Sequence, residues 1–194
     1  KLLLTILAVL VIAGAGFFLY HKFVYEVQRA EAMEQMYPAE ENFRNQEFEL
    51  AINGDGNVLG FSQIISDYGR KAGKAVYFYA GVCELQLGNY EQAIKYLNSY
   101  NGKDAILKAR ATACIGDAYV GLEDYGKALG YFEKAASTID NMYAANYLLK
   151  AGVVCEKLGQ NEKAITFYKK IKEQYPQSME GYSIDKYISR IEAE

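Results

Sequence analysis

The chain opens with an unbroken apolar stretch, and helical periodicity follows it. Leu2–Tyr20, LLLTILAVLVIAGAGFFLY, contains 19 residues and no charge. A helix of that length would be about 29 Å long, close to the thickness of the hydrocarbon core of a bilayer. His21, Lys22 and Tyr25 follow, and such residues suit the boundary between lipid and water. The pattern predicts a transmembrane anchor over residues 1–25.

A cleaved signal peptide is the alternative interpretation of this stretch. Ala13–Ala15, AGA, has the small-x-small form of a cleavage site. The apolar run continues through Phe17–Leu19 beyond that point, which favours an anchor. Lys1 precedes the span, and Lys22 and Arg29 follow it with acidic residues nearby. The positive-inside rule therefore gives no orientation.

One short pattern occurs three times in the second half of the chain. LGNYEQAIKYL at Leu87–Leu97 returns as LEDYGKALGYF at Leu122–Phe132 and as LGQNEKAITFY at Leu158–Tyr168, at intervals of 35 and 36 residues. Repetition at this interval is typical of stacked helical hairpins. One position in each copy holds alanine, which lets two helices approach closely. These residues are Ala93, Ala128 and Ala164.

Glycines mark two further positions of the repeat. Gly88 and Gly159 stand at the turn between helices, where positive φ costs glycine little. Glu123 occupies that place in the middle copy, so we expect that turn to close differently. Another glycine recurs inside the first helix of each copy, and its cost there of about 1 kcal/mol indicates a contact too close for a side chain. These glycines are Gly81, Gly116 and Gly152.

These residues resemble the tetratricopeptide repeat (TPR) family, in which a small residue in the first helix precedes Leu-Gly-x-Tyr at the turn. The resemblance covers residues 74–176, implies three repeats and ends at Pro176. Where the family favours tryptophan early in the first helix, this chain has Tyr77, Thr112 and Leu148. The predicted fold is all-α: an N-terminal transmembrane helix, then a TPR helical-hairpin solenoid with a C-terminal capping helix.

Residues 26–73 are predicted to form a stem helix and a degenerate TPR-like repeat. Seven glutamates lie from Glu26 to Glu49, and we expect them to form a solvated helix face; an acidic docking surface is the alternative. Asn53–Asn57, NGDGN, is predicted to be a glycine-rich turn rather than a calcium loop, because glutamate is missing at the twelfth position. The amphipathic segment 177–194 is predicted to cap the solenoid.

Composition and motifs argue for a binding protein rather than an enzyme. A net charge of −3 and a pI near 5.4 argue against nucleic acid as a partner. No motif of a hydrolase, zinc protease or phosphate-binding loop occurs, and His21 is the only histidine. We therefore predict no catalytic residue, no cofactor and no metal. Cys83, Cys114 and Cys155 are interpreted as buried small hydrophobes, and reduced thiols slightly favour a cytoplasmic location.

In TPR proteins the first helices line a concave face, and the matching positions here are largely apolar. Family members that grip chaperone tails use lysine, arginine and asparagine there, so this chain is not expected to have such a clamp. An extended apolar segment or an amphipathic helix suits the face better. The alternative is that the chain's own tail helix covers Phe78 and Leu149. The predicted groove residues are Phe78, Tyr79, Val82, Arg110, Asp117, Asn146, Leu149, Lys150 and Val153.

Three longer segments resemble the YfgM-like proteins of bacterial inner membranes, particularly their Bacteroidota forms. They read AEAMEQMYPAEENF, FELAINGDGNVLGF and YAGVCELQLGNYEQAIKYL. The resemblance implies a single-pass inner-membrane protein with periplasmic repeats, acting as an ancillary subunit of the Sec translocon. The implied partners are translocon subunits, a membrane-anchored chaperone or emerging secreted chains. Two alternatives stay open: a scaffold for peptidoglycan or outer-membrane assembly, and a cytoplasmic membrane-tethered adaptor.

Overall fold

A computed structural model describes residues 2–193, with only the backbone of Leu4; Lys1 and Glu194, the ends of the predicted anchor and cap, lie outside the described residues. The chain forms two compact units, residues 1–76 and 77–194. The helices are α1 (Leu2–Tyr20), α2 (Glu26–Arg44), α3 (Phe48–Asn53), α4 (Phe61–Tyr68), α5 (Ala75–Gln86), α6 (Tyr90–Ser99), α7 (Ala105–Gly121), α8 (Tyr125–Thr138), α9 (Tyr143–Lys157), α10 (Asn161–Gln174) and α11 (Met179–Glu192). A π-helical turn, His21–Tyr25, joins α1 to α2, and a 3₁₀ turn, Gly69–Ala72, follows α4.

The first helix exposes the apolar side chains that the structure describes. Within residues 2–193, one helical stretch is long and apolar enough to cross a membrane, and its most apolar part is not buried inside the protein. Leu3 is 83% exposed and Ile12 is 70% exposed. A signal sequence would meet the same criterion of length and composition. At the end of α1 the rings of Phe17, His21 and Tyr25 lie in a row along the helix.

The stem helix α2 packs on α3 and α4 through one narrow face. Ala32, Met36 and Ala39 are buried on α2, opposite Ile52 of α3 and Phe61 of α4. Six of the seven glutamates predicted to form a solvated face are exposed, and Glu40 is half-buried.

The NGDGN segment forms the turn between α3 and α4. The Asp55 carboxylate accepts hydrogen bonds from the backbone N–H of Asn57 (2.8 Å) and Val58 (3.0 Å). These bonds lower the pKa of the exposed Asp55 carboxyl. Asp55 therefore stabilises its own turn.

The second unit is a stack of antiparallel helical hairpins, and this part of the fold prediction is confirmed. In sequence order, α7 packs on α6 and α8, α9 packs on α8 and α10, and α11 packs on α10. The three alanines of the repeat pattern are fully buried, as expected from close helix approach. The fully buried large side chains of the hairpins include Leu97, Phe132 and Tyr168, the last residue of each repeated segment.

The expectation that the middle turn closes differently is wrong. Glu123 adopts φ +59°, beside +80° at Gly88 and +69° at Gly159. The closing hydrogen bonds are also the same: the N–H of Asn89, Asp124 and Gln160 donates to the carbonyl five residues earlier, at 2.9, 2.9 and 2.8 Å. The hairpin geometry imposes a left-handed residue here, and the middle repeat places a glutamate in it.

The tail forms a helix that covers the end of the stack. Ile184, Ile188 and Ile191 of α11 are buried in the core shared with α9 and α10. The Ser178 hydroxyl caps the helix by accepting a hydrogen bond from the N–H of Gly181 at 2.9 Å. Met179 is exposed and does not join this buried face.

Candidate protein-binding groove

The first helices of the hairpins, α5, α7 and α9, line two adjoining depressions on one face of the second unit. We call these two depressions together the inner groove. Asp117, Asn146 and Lys150 line both of them and so mark the boundary between them. The groove is thus built from side chains that recur on one face of successive helices. The packing of the hairpins fixes the positions of these side chains.

The first depression has a volume of about 420 Å³ and a mixed lining. Val82 and Leu85 come from α5, Ile106 and Arg110 from α7, and Tyr143 from α9. Volumes of this size lie within the range of protein pockets that hold ligands.

The second depression is about 360 Å³ in volume and is mainly apolar. Leu149, Val153 and Val154 come from α9, and Val120 lies at the end of α7. Val153 is 38% exposed, so an apolar side chain faces solvent here. Burial of such a surface by a bound segment is favourable, at about 25 cal/mol per Å² of apolar area removed from water.

An ion pair separates the two depressions. The Lys150 ammonium lies 2.7 Å from both carboxylate oxygens of Asp117. This ion pair joins α9 to α7. The ammonium also lies 5.7 Å from the centre of the Phe132 ring. Because both ends of the pair are about one third exposed, its main effect is to fix these side chains, with a modest contribution to stability.

Arg110 carries a positive charge that no acidic side chain neutralises directly. Its guanidinium lies 5.7 Å from the centre of the Phe78 ring. Phe78 in turn packs edge-on against Tyr100, with ring centres 6.1 Å apart. Within the part of the chain that the structure describes, no carboxylate lies within ion-pair distance of Arg110. A cation–π contact holds the guanidinium in place and leaves its hydrogen-bond donors available.

A cysteine thiol lies on the wall of the first depression. Burial, followed by the nearby Asp117 charge, raises the pKa of Cys114 to about 11, while Lys150 and Arg110 oppose the shift. Burial is also the main cause that raises the pKa of Tyr147 on the same wall. These groups are neutral at pH 7. The fixed charges of the first depression are therefore those of Arg110 and of the Asp117–Lys150 pair.

Polar pairs attach α11 to the first helix of the preceding hairpin. The side-chain amide of Asn146 donates to Glu180 at 3.0 Å. Glu156 pairs with Arg190 at 2.5 Å and accepts a hydrogen bond from the Tyr168 hydroxyl. Two polar side chains of α9, the predicted groove residue Asn146 and its neighbour Glu156, are thus engaged by the chain itself.

The structure brings most of the predicted groove residues together. Val82, Arg110, Asp117, Asn146 and Lys150 line the first depression, and Leu149 and Val153 line the second with the three shared residues.

Two predicted groove residues lie outside both depressions. Phe78 is only 3% exposed, so it supports Arg110 from below rather than facing a partner. Its burial is explained by Tyr100 and not by the tail helix, which packs on α9 and α10. Tyr79 is half-buried, and its ring contacts Phe78.

Several lining residues were missed by the sequence analysis. Ile106 and Tyr143 lie one turn before Arg110 and Asn146, so extending the same helix face by one turn would have found them. Tyr125 and Phe132 line the second depression from α8, and the assumption that only first helices line the face excluded them.

Comparisons with known proteins agree with this architecture. Residues 75–103 and 147–178 match the tetratricopeptide repeat family model, so these two segments are tetratricopeptide repeats. Two solved structures of similar fold are a crystal structure of MamA protein and a crystal structure of MamA. The first has 17% identity and a TM-score of 0.64, over 86% of this chain and 83% of that one. The second has 18% identity and a TM-score of 0.59, over 80% of this chain and 92% of that one. No curated protein matches the sequence significantly.

Proposed function

We propose that this protein is a membrane-anchored scaffold that holds protein partners in the inner groove. Tetratricopeptide repeats are protein-interaction modules, and the chain contains them. The observation that carries the proposal is the apolar second depression, where Leu149 and Val153 lie on one helix and no segment among residues 2–193 covers them. An extended segment or an amphipathic helix would bury these side chains.

The proposed anchor is α1, and the proposed site is the bacterial inner membrane with the repeats in the periplasm. The exposure of the described apolar side chains of α1 supports an anchor, because a helix with apolar residues on all sides is stable only where lipid or protein surrounds it. The periplasmic orientation and the role beside the Sec translocon rest on the resemblance to YfgM-like proteins. In that role the groove would hold a membrane-anchored chaperone or an emerging secreted chain.

Co-purification from gently solubilised membranes tests the role. The full chain would be compared with Val153→Glu, which places a charge in the second depression. Leu158→Glu is the matched control, because Leu158 lies outside the groove and its exposed fraction, 37%, is close to the 38% of Val153. We expect mass spectrometry to find translocon subunits and a chaperone with the wild type and the control. Loss of the chaperone with Val153→Glu alone would support the groove as its docking site.

Two outcomes would contradict the proposal in different ways. If only proteins of envelope synthesis co-purify, the scaffold role stands and the translocon role fails. If Val153→Glu and Leu158→Glu retain the same proteins as the wild type, the groove is not the docking site.

A cytoplasmic adaptor is the second candidate, and the state of the cysteines favours it. Cys83, Cys114 and Cys155 are all free thiols. Free thiols are common in reducing compartments, although buried ones persist elsewhere. A protease added to spheroplasts decides the orientation: digestion of the residues after the anchor supports the periplasmic side, and their protection supports the cytoplasmic side.

A further inference from the structure

The inner groove carries an excess of positive charge in a protein that is acidic overall. Its lining includes three cations, Arg110, Lys150 and Lys157, and one anion, Asp117. The chain as a whole has a net charge of −3. Because Lys150 is paired with Asp117, the charge that remains in the first depression is that of Arg110.

Arg110 is held in position for an anionic partner. The Phe78 ring below the guanidinium restricts its orientation, and Phe78 is itself fixed because it is buried against Tyr100. Arg110 remains exposed, so a bound group can reach its N–H donors. A planar guanidinium with free donors binds a carboxylate through two parallel hydrogen bonds.

The second depression suits an apolar side chain of the partner rather than the anionic group that Arg110 would bind. Its lining is apolar around Val120, Leu149 and Val153, and the Asp117–Lys150 pair separates it from Arg110. An apolar side chain fits here because it removes these groups from water. A cationic side chain would lose its hydration there without gaining an acidic partner, and the unpaired charge on this lining, that of Lys157, lies at the end of α9.

We propose that the groove recognises a two-part signal in an extended protein segment: one aspartate or glutamate side chain bound by Arg110, and a neighbouring large apolar side chain in the second depression. This inference rests on the proposed function and specifies the chemistry of the partner. A segment with many acidic residues is disfavoured, because the surrounding protein is acidic and, among the described residues, only Arg110 and Lys157 offer unpaired positive charge in the groove.

Selection from a random peptide library tests this inference. The full chain in lipid nanodiscs would be panned against peptides displayed with their C-termini fused, so that an acidic side chain is the only carboxylate available. We expect enriched peptides to share one Asp or Glu near a large apolar residue. A synthetic peptide of that sequence should bind about tenfold more weakly when its acid is replaced by the matching amide, as expected for loss of a charge-assisted hydrogen bond.

A charge exchange then assigns the acid to Arg110. Arg110→Glu should weaken the binding of the selected peptide. It should favour the binding of a version of that peptide with lysine in place of the acid. Lys108→Glu is the matched control, because Lys108 is an exposed cation on the same helix that lines neither depression. Val153→Glu should remove the preference for the apolar residue, and circular dichroism should show that each variant keeps the helical fold.

The outcomes separate the two proposals. Apolar peptides enriched without an acid, or an acid preference unchanged in Arg110→Glu, would overturn the two-part signal and leave the groove as a binding site. A library from which nothing is enriched would overturn the proposed function and this inference together.

Discussion

The ring of Tyr168 in α10 occupies the space that a Cβ atom on Gly152 in α9 would need: an ideal Cβ would lie 2.2 Å from Cε1 of the tyrosine. The same relationship joins the other hairpins. A Cβ on Gly81 would lie 2.5 Å from Cγ of Leu97, and a Cβ on Gly116 would lie 2.7 Å from Cε1 of Phe132. In each repeat the glycine lowers helix propensity, and its missing side chain lets a large side chain pack directly on the helix backbone.

Replacement of Gly152 with alanine is therefore expected to destabilise the fold. Tyr168 is fully buried and cannot move away without disturbing its neighbours. Gly152→Ala should lower the free energy of unfolding by about 2 kcal/mol, the usual cost of overpacking. Urea unfolding of the full chain in detergent, followed by circular dichroism, measures the change.

Gly130 provides the control for this prediction. It lies inside α8, and within the part of the chain that the structure describes no heavy atom would lie within 4 Å of its added Cβ apart from those of the helix itself. Gly130→Ala should raise the free energy of unfolding by about 1 kcal/mol through helix propensity. Equal effects of the two substitutions would show that the contact with Tyr168 does not determine the outcome at Gly152.

The turn of the middle repeat offers a stabilising substitution. Glu123 has φ +59°, and a left-handed backbone costs an ordinary residue about 1–2 kcal/mol. Glycine removes that strain. It also stabilises the unfolded chain by about 0.4–1 kcal/mol, because glycine gives that chain more conformational freedom. Glu123→Gly should therefore raise the free energy of unfolding by about 0.5–1 kcal/mol in the same urea assay.

The reverse change at a neighbouring turn serves as the comparison. Gly88 has φ +80°, and among the described residues no heavy atom lies within 4 Å of its added Cβ, so backbone strain acts there without a steric clash. Gly88→Ala should lower the free energy of unfolding by about 1 kcal/mol. A loss of stability in Glu123→Gly would mean that the glutamate side chain contributes more than its backbone strain costs.

These positions also show what the sequence could predict and what it could not. The spacing of Gly81, Gly116 and Gly152 predicted close helix contacts, because a repeat places equivalent residues in equivalent environments. The turn at Glu123 was predicted wrongly, because the hydrogen bonds of the hairpin determine φ there more strongly than the residue type does.

The sequence also predicted only part of the groove. Arg110, Asp117 and Lys150 were found, because the face of a helix follows from its periodicity. Phe78 lies on that face too, but Tyr100, in the loop after α6, covers it. A helix pattern contains no information about the position of a loop side chain. The membrane anchor, its orientation and the partner stay predictions.

The tail helix should contribute strongly to the stability of the second unit. Ile188 is 7% exposed and lies in the core shared by α9, α10 and α11. Ile188→Ala should lower the free energy of unfolding by about 2–4 kcal/mol, the usual cost of removing a buried aliphatic side chain. Met179→Ala on the same helix should change it by less than about 0.5 kcal/mol, because Met179 is 87% exposed. Similar losses in both variants would contradict the assignment of α11 as a cap.

The thiol in the groove should react slowly with alkylating reagents near neutral pH. Burial is the main cause that raises the pKa of Cys114 to about 11. Only the thiolate reacts, so at pH 8 about 0.1% of Cys114 is reactive, compared with about a quarter of an ordinary thiol of pKa 8.5. From these thiolate fractions, alkylation of the folded full chain should be about 240-fold slower than that of a small thiol, and should accelerate about tenfold per pH unit from pH 8 to 10.

Peptide mapping by mass spectrometry assigns this reaction to its cysteine. Cys83 and Cys155 are fully buried, so they should be alkylated only after unfolding in urea. Cys114→Ala should abolish the labelling of the folded protein and leave the labelling in urea at two sites. If the rate at Cys114 reaches its plateau below pH 9, its pKa is ordinary and the thiol is more hydrated than its place in the first depression implies. A rate that rises steadily to pH 10 supports a desolvated wall beside Arg110, which would strengthen any ion pair that Arg110 forms with a bound carboxylate.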